Sequence, residues 1–254
     1  MNQPPEIDHI AAAALDAGAA LMEAGASASR VAGIVDTVAR GLGAERIDLR
    51  VGYASLAVTV AAKGASITWM HKLGGIGVNQ QVGLSLEALA RRVAKGELTA
   101  DQTVDAVSGI VTNTPKHKPW FIAVAVGLAC AAFARLLAVD WPGVPAVFAA
   151  AAAGQYLRGK LLHRGLNPYL CTATISCLSS MAGSLLADLL HSSTATTAAI
   201  ASVLLLVPGV PAVNALSDML EGRPTLGSAR GLTVALHLVF ISAGLWVSRA
   251  ILLQ

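Results

Sequence analysis

Polar and apolar residues follow two regimes along this chain, and the change falls near Pro119. Before it, short amphipathic patterns are interleaved with charges; after it, long uncharged stretches follow one another. The first regime opens with two helical patterns. One covers Ile7 to Glu23, and the other places Val31, Ile34, Val35, Val38 and Leu42 on a single face. Gly25 predicts the stop of the first helix and Ser27 a cap for the second. Three alternating segments come next. Ile47, Leu49 and Val51 are set against Asp48 and Arg50; Leu56, Val58 and Val60 follow Gly52-Tyr53-Ala54; Ile67 and Trp69 flank Thr68 beyond Lys63-Gly64. They predict an antiparallel meander. Two further helices are marked by Ser85 before Leu86 to Lys95, by a stop at Gly96, and by Thr99 three residues before Gln102, the capping-box spacing.

In the second regime the unit of pattern is a membrane span. Trp120 and Trp141 bracket a first one, Trp120 to Val139, and their separation at 1.5 Å per residue is roughly 30 Å, the thickness of a hydrocarbon core. Val144 to about Leu162 is alanine-rich, ends in Arg158, Lys160, His163 and Arg164, and reads as a helix packed among helices. Tyr169 to about Leu190 carries Thr172, Thr174, Ser176, Ser179, Ser180 and Ser184, which suit a wet path or bonds to neighbouring helices. A fourth span runs from about Thr196 into Pro208-Gly209-Val210-Pro211 and beyond, and a fifth from Leu232 to Leu252. The predicted fold is therefore a membrane α-helical protein of about five transmembrane helices, residues 116–254, preceded by a small cytoplasmic α+β domain, residues 1–115.

Composition and charge narrow the classes. With 55% hydrophobic and 13% charged residues the chain exceeds what a soluble core needs, so a lipid bilayer is its expected medium. A formal charge of +3 is too small for a nucleic-acid surface. Basic residues instead sit at span ends: Lys116 and Lys118 before the first, Arg158 to Arg164 after the second, Arg223 and Arg230 between the fourth and fifth. The loops around Asp140 and Asp188 to Thr194 lack them, which places the amino-terminal domain in the cytoplasm and the carboxyl terminus outside. Arg135 and Arg249 lie near the outer ends of their spans and can snorkel. The opening Met1-Asn2-Gln3-Pro4-Pro5-Glu6 has neither the basic flank nor the apolar run of a secretory signal. Cys130, Cys171 and Cys177 fall in apolar spans without metal spacing and read as reduced packing residues. His9, His71 and His117 have no ligand at metal spacing, and Gly74-Gly75-Ile76-Gly77 lacks the setting of a dinucleotide loop, so no metal or cofactor is expected.

Candidate chemistry concentrates in the fourth span. Pro208 and the following Gly209 break a helix where no water can satisfy its backbone, and such breaks persist beside a cavity or a solute. The freed helix end attracts a carboxylate. Asn214 and Asp218 are four residues apart, hence on one face just after the break, with Arg223 and Arg230 as candidate partners. An ionisable group in a span is a functional hypothesis by default, which adds His237 as a proton relay beside Asp218. Asp188 reads as a solvated cap at the outer interface.

Two stretches carry a family resemblance. Gly18-Ala19-Ala20-Leu21-Met22-Glu23-Ala24-Gly25-Ala26-Ser27-Ala28-Ser29-Arg30-Val31 resembles the opening helix pair of the threonine/serine exporter family. Leu206-Val207-Pro208-Gly209 with Asn214, Asp218, Gly222, Gly227 and Arg230 resembles that family's late signature, and Arg164-Gly165-Leu166-Asn167-Pro168 is similar too. The likeness is to the amino-terminal half of the family, which also occurs as a separate chain in two-component dicarboxylate (succinate) export. It implies a cytoplasmic domain and five spans in the bacterial inner membrane, exporting small hydrophilic metabolites. Fused members carry a second membrane half that this chain lacks.

The function expected from residues and resemblance together is that of a transporter subunit exporting threonine and serine, or a C4 dicarboxylate such as succinate, with proton coupling. Pro208, Gly209, Asn214, Asp218 and Arg230 are the expected solute contacts, and Asp218 and His237 the expected proton carriers. One broken helix and no internal repeat call for a second membrane subunit, or else a homo-oligomer. The alternative is a membrane-anchored scaffold whose intramembrane polar residues only bond helices together. An enzyme is the weakest reading, because no nucleophile and base or metal cluster is visible.

Overall fold

The computed structural model describes residues 5–75, 77–115 and 117–252. The opening residues 1–4, Lys116 of the orientation argument and Ile76 of the glycine-rich run lie outside the described residues. The chain forms two compact units. One holds the described residues through Pro115 together with Gly209–Leu232, and the other the described residues from His117 to Pro208 with those from Thr233 on.

In the first unit, helix α1 (Pro5–Glu23) is central, flanked by α2 (Ala28–Gly41), α4 (Ala100–Asn113) and one face of a three-stranded sheet. The sheet is the expected meander, order β1 (Arg46–Val51), β2 (Ser55–Ala62), β3 (Ala65–Lys72), both pairs antiparallel. Lys63 and Gly64, at φ 52° and 76°, make the left-handed two-residue turn that matches strand twist. Along β2, Leu56, Val58, Val60 and Ala62 face inward in strict alternation and close over Ile10, Ala14, Leu21 and Met22 of α1. Burial raises the Asp16 carboxyl above its ordinary range, and the nearby His71 works against that rise.

Helix ends show which local signals won. The capping box of α4 forms as expected, Thr99 and Gln102 exchanging bonds. Helix α3 (Gln80–Ala94) starts before the expected Ser85, because Asn79 accepts from the Val82 amide and leaves Ser85 in the helix interior. Ser27 occupies the cap position of α2, yet its side chain makes no capping bond.

The second unit contains α5 (Pro119–Leu136), α6 (Gly143–His163), α7 (Pro168–Leu189), the short α8 (Ala195–Ala201) and the later part of α10 (Pro224–Leu252). Helices consecutive in sequence pack together from α5 to α8, and glycines set their closeness. A Cβ on Gly127 would lie 2.9 Å from the Phe148 carbonyl, while one on Gly154 or Gly183 would collide with the hydroxyl of Ser179 or Ser202. This is small-residue packing, suited to helices that gain little from excluding water. Hydroxyls of α7 bond to α10, Ser176 donating to the Ile241 carbonyl at 2.7 Å and Ser248 to Ser180 at 3.1 Å.

Among the described residues α5, α7 and α10 qualify as membrane spans by length and composition, and a fourth is reached if α8 through α9 (Gly209–Leu220) counts as one broken span. The expectation of about five exceeds this. Helix α6 has 21 residues but carries Gln155, Arg158, Lys160 and His163 in its second half, which lowers its apolar character. Helix α10 begins at Pro224, not Leu232, so Arg230 lies within a helix rather than in a loop between spans.

Candidate functional site

The break at Pro208 has a definite local form. After α8 the backbone tightens into a 3-10 turn, Leu204–Leu206, and Val207 is extended at φ −64°, ψ 120°. Pro208 has no N–H to continue the ladder, and the residue before a proline avoids the helical region. Helix α9 starts afresh at Gly209 and ends at Leu220. Gly222, at φ 80°, turns the chain, the Arg223 amide donates to the Asp218 carbonyl at 2.8 Å, and Pro224 opens α10. A Cβ on Gly227 would lie 2.8 Å from the Ala215 carbonyl, so this glycine lets α9 and α10 close into a hairpin.

Asn214 and Asp218 share a face of α9, as their spacing requires, and that face is turned toward the α1–α2 turn. Asp218 is fully buried and pairs with Arg230, which is 6% exposed. The other Asp218 oxygen accepts the Ala28 amide at 3.0 Å. Asp218 thus takes the amino-terminal capping role expected of Ser27, from 190 positions away, and its charge suits the positive end of α2. Arg230 also donates to the Ala26 carbonyl at 3.3 Å and lies 3.6 Å from the Met22 sulfur. Asn214 donates to the Gly25 carbonyl at 2.8 Å. The early and late sequence motifs are therefore two halves of one cluster. The Arg223 guanidinium pairs instead with Glu221 at 3.1 Å.

The residues expected as solute contacts so divide into two sets. Pro208 and Gly209 form the break, while Asn214, Asp218 and Arg230 are engaged by protein groups. His237 lies in the other unit, where its Nδ1 donates to the Thr233 carbonyl at 2.9 Å and its ring lies beside Tyr169, 4.8 Å between ring centroids. Asp188 is exposed in the last turn of α7.

Sequence reasoning missed a second polar cluster. Asp140 in the α5–α6 connection accepts from Ser192 (2.5 Å) and Thr194 (2.9 Å) hydroxyls and from the Ser193 amide (2.7 Å) and hydroxyl (3.0 Å). The Ser192 hydroxyl above all holds this carboxyl well below the usual carboxylate range, against a smaller opposing effect of burial. The run Ser192-Ser193-Thr194 was the available signal, a set of hydroxyls with one acid in the partner loop. Among the described residues no group of three or more His, Cys, Asp or Glu could hold a metal ion.

The comparisons with known proteins make this chain a transporter rather than an enzyme. The chain belongs to the threonine/serine exporter family, whose model, described as "Putative threonine/serine exporter", matches residues 12–252. It is 28% identical over 226 residues to the "Probable succinate transporter subunit YjjP" of Escherichia coli K12, covering 85% of this chain and 84% of that relative. Its identity to the protein of the same description from Klebsiella aerogenes is 29% over 213 residues, 83% of this chain and 81% of that relative. No solved structure matches the chain.

Proposed function

We propose that the chain is the broken-helix subunit of an inner-membrane exporter of small carboxylate-bearing metabolites, either threonine and serine or a C4 dicarboxylate such as succinate. The observation that carries this is the interruption at Val207 and Pro208 in a member of an exporter family. The interruption starts a helix whose first amides have no preceding turn to bond, and a carboxylate, common to both solute classes, suits that end. Asn214, Asp218 and Arg230 serve transport in this reading by fixing the helix that follows, since their polar groups are taken up by the protein.

Proton coupling falls to His237. Its ring lies beside Tyr169 and makes one bond, Nδ1 to the Thr233 carbonyl, among the contacts described, whereas both oxygens of Asp218 are occupied. A second membrane subunit supplies the remaining half of the pathway; the relatives' description as subunits supports this. The amino-terminal domain faces the cytoplasm and the carboxyl terminus the outside, as the distribution of basic residues favours.

Efflux in cells lacking their own succinate and threonine exporters tests the reading. Cells loaded with each solute and expressing this chain with a cognate second subunit should release one class faster than cells carrying Pro208→Ala. Equal release would favour the scaffold alternative, in which the intramembrane polar groups only join helices.

A further inference from the structure

Four consecutive carbonyls of the α1–α2 turn are taken up by groups from elsewhere in the same unit. The Gly77 amide donates to the Glu23 carbonyl at 2.8 Å and the Asn79 amide to the Ala24 carbonyl at 2.9 Å. Asn214 takes the Gly25 carbonyl and Arg230 the Ala26 carbonyl, and the Ala28 amide goes to Asp218. The Gly74 amide adds a 2.5 Å bond to the Glu23 carboxylate. The turn is thus held both by Gly74, Gly77 and Asn79 and by the α9–α10 hairpin. Gly25 sits at φ 89°, and a Cβ there would collide with the Gly77 carbonyl, so the position tolerates no side chain on two counts.

We infer that the Glu23–Ala28 turn is a positioning element for transport, a clasp that sets the rotation and height of α9 and links them to the 74–79 stretch. Apolar contact alone would hold α9 without fixing its register. Hydrogen bonds do fix it, because each requires its own distance and angle. Three bonds, at the Gly25 and Ala26 carbonyls and the Ala28 amide, tie the hairpin to one turn. A change at Gly25, or at Gly77 or Asn79, therefore reaches α9 without touching it.

Hydrogen exchange on the full chain in lipid nanodiscs, without solute, tests the clasp. Gly25→Ala and Asp218→Asn should each raise exchange in both 24–31 and 209–220 by about tenfold or more, as loss of a buried, charge-assisted cap implies. Val58→Ala, in the core strand β2, should leave 209–220 unchanged at a comparable loss of thermal stability. If Gly25→Ala does not fold, Asn214→Ala removes one bond of the three and should give a smaller rise in the same two segments. Unmoved exchange in 209–220, or an equal rise with Val58→Ala, would overturn the inference.

The transport readout, which rests on the exporter reading, separates positioning from solute contact. Clasp variants should lower the maximal rate of efflux and leave half-saturation unchanged; a rise in half-saturation would make these residues solute ligands and overturn the positioning role. Because exchange is measured without solute, its failure breaks the clasp and leaves the exporter reading standing. A chain that meets the exchange test yet moves no carboxylate breaks the exporter reading alone.

Discussion

Asp218 and Arg230 are two charges withdrawn from water in one cluster, and each depends on the other for compensation. Removing one partner strands the other, at a cost of about 3–5 kcal/mol, while replacing both by apolar residues of similar volume is often close to neutral. Arg230→Met and Asp218→Leu should each lower the melting temperature sharply, and the double variant should recover only part of the loss, because the Ala28 amide and the Ala26 carbonyl still lose their partners. The sequence spacing placed Asn214 and Asp218 on one face and offered Arg230 as a partner, which the ion pair bears out; the Gly25 carbonyl and Ala28 amide lie about 190 positions away, and no local pattern encodes those two bonds. Asp140 makes a prediction in pH. Its folded carboxyl titrates below the unfolded one, so its stabilisation is present above the ordinary carboxylate range and is lost as pH falls through the folded value. Asp140→Asn should lower the melting temperature at pH 7, and the difference from the parent should vanish in strong acid.

At the scale of elements, the meander, the capping box and the amphipathic pair were legible because each is specified by its own neighbours. Two boundaries were not. Helix α3 is capped by Asn79 rather than Ser85, since serine and asparagine are both good caps and local sequence does not rank them, and α10 extends back to Pro224; α2 begins after Ser27 as expected, but its capping bond comes from Asp218. The closeness of α7 and α10 rests on Gly244, where a Cβ would meet the Ala173 carbonyl and come within 2.7 Å of Ser176 Cβ. Gly244→Ala should force the helices apart, break the Ser176 bond to Ile241 and cost about 1–3 kcal/mol, measured by thermal unfolding. Pro208→Ala tests the break itself. It restores an N–H to the ladder and permits helix at Val207, so transport should fall more than assembly, compared as efflux rate against yield of folded protein.

For the whole molecule, apolar content announced a membrane protein, and the family match spans nearly the entire chain. The number of crossings was less legible, because an alanine-rich helix ending in charges satisfies a length rule and fails an apolarity rule. One half of a two-part exporter transports only in company with the other. Reconstitution into liposomes, with and without the second membrane subunit, and counterflow of labelled succinate, threonine and serine test this. The account predicts counterflow of one solute class when both chains are present and none with either alone. Full counterflow by this chain alone, or none from both chains when each is folded, would contradict it.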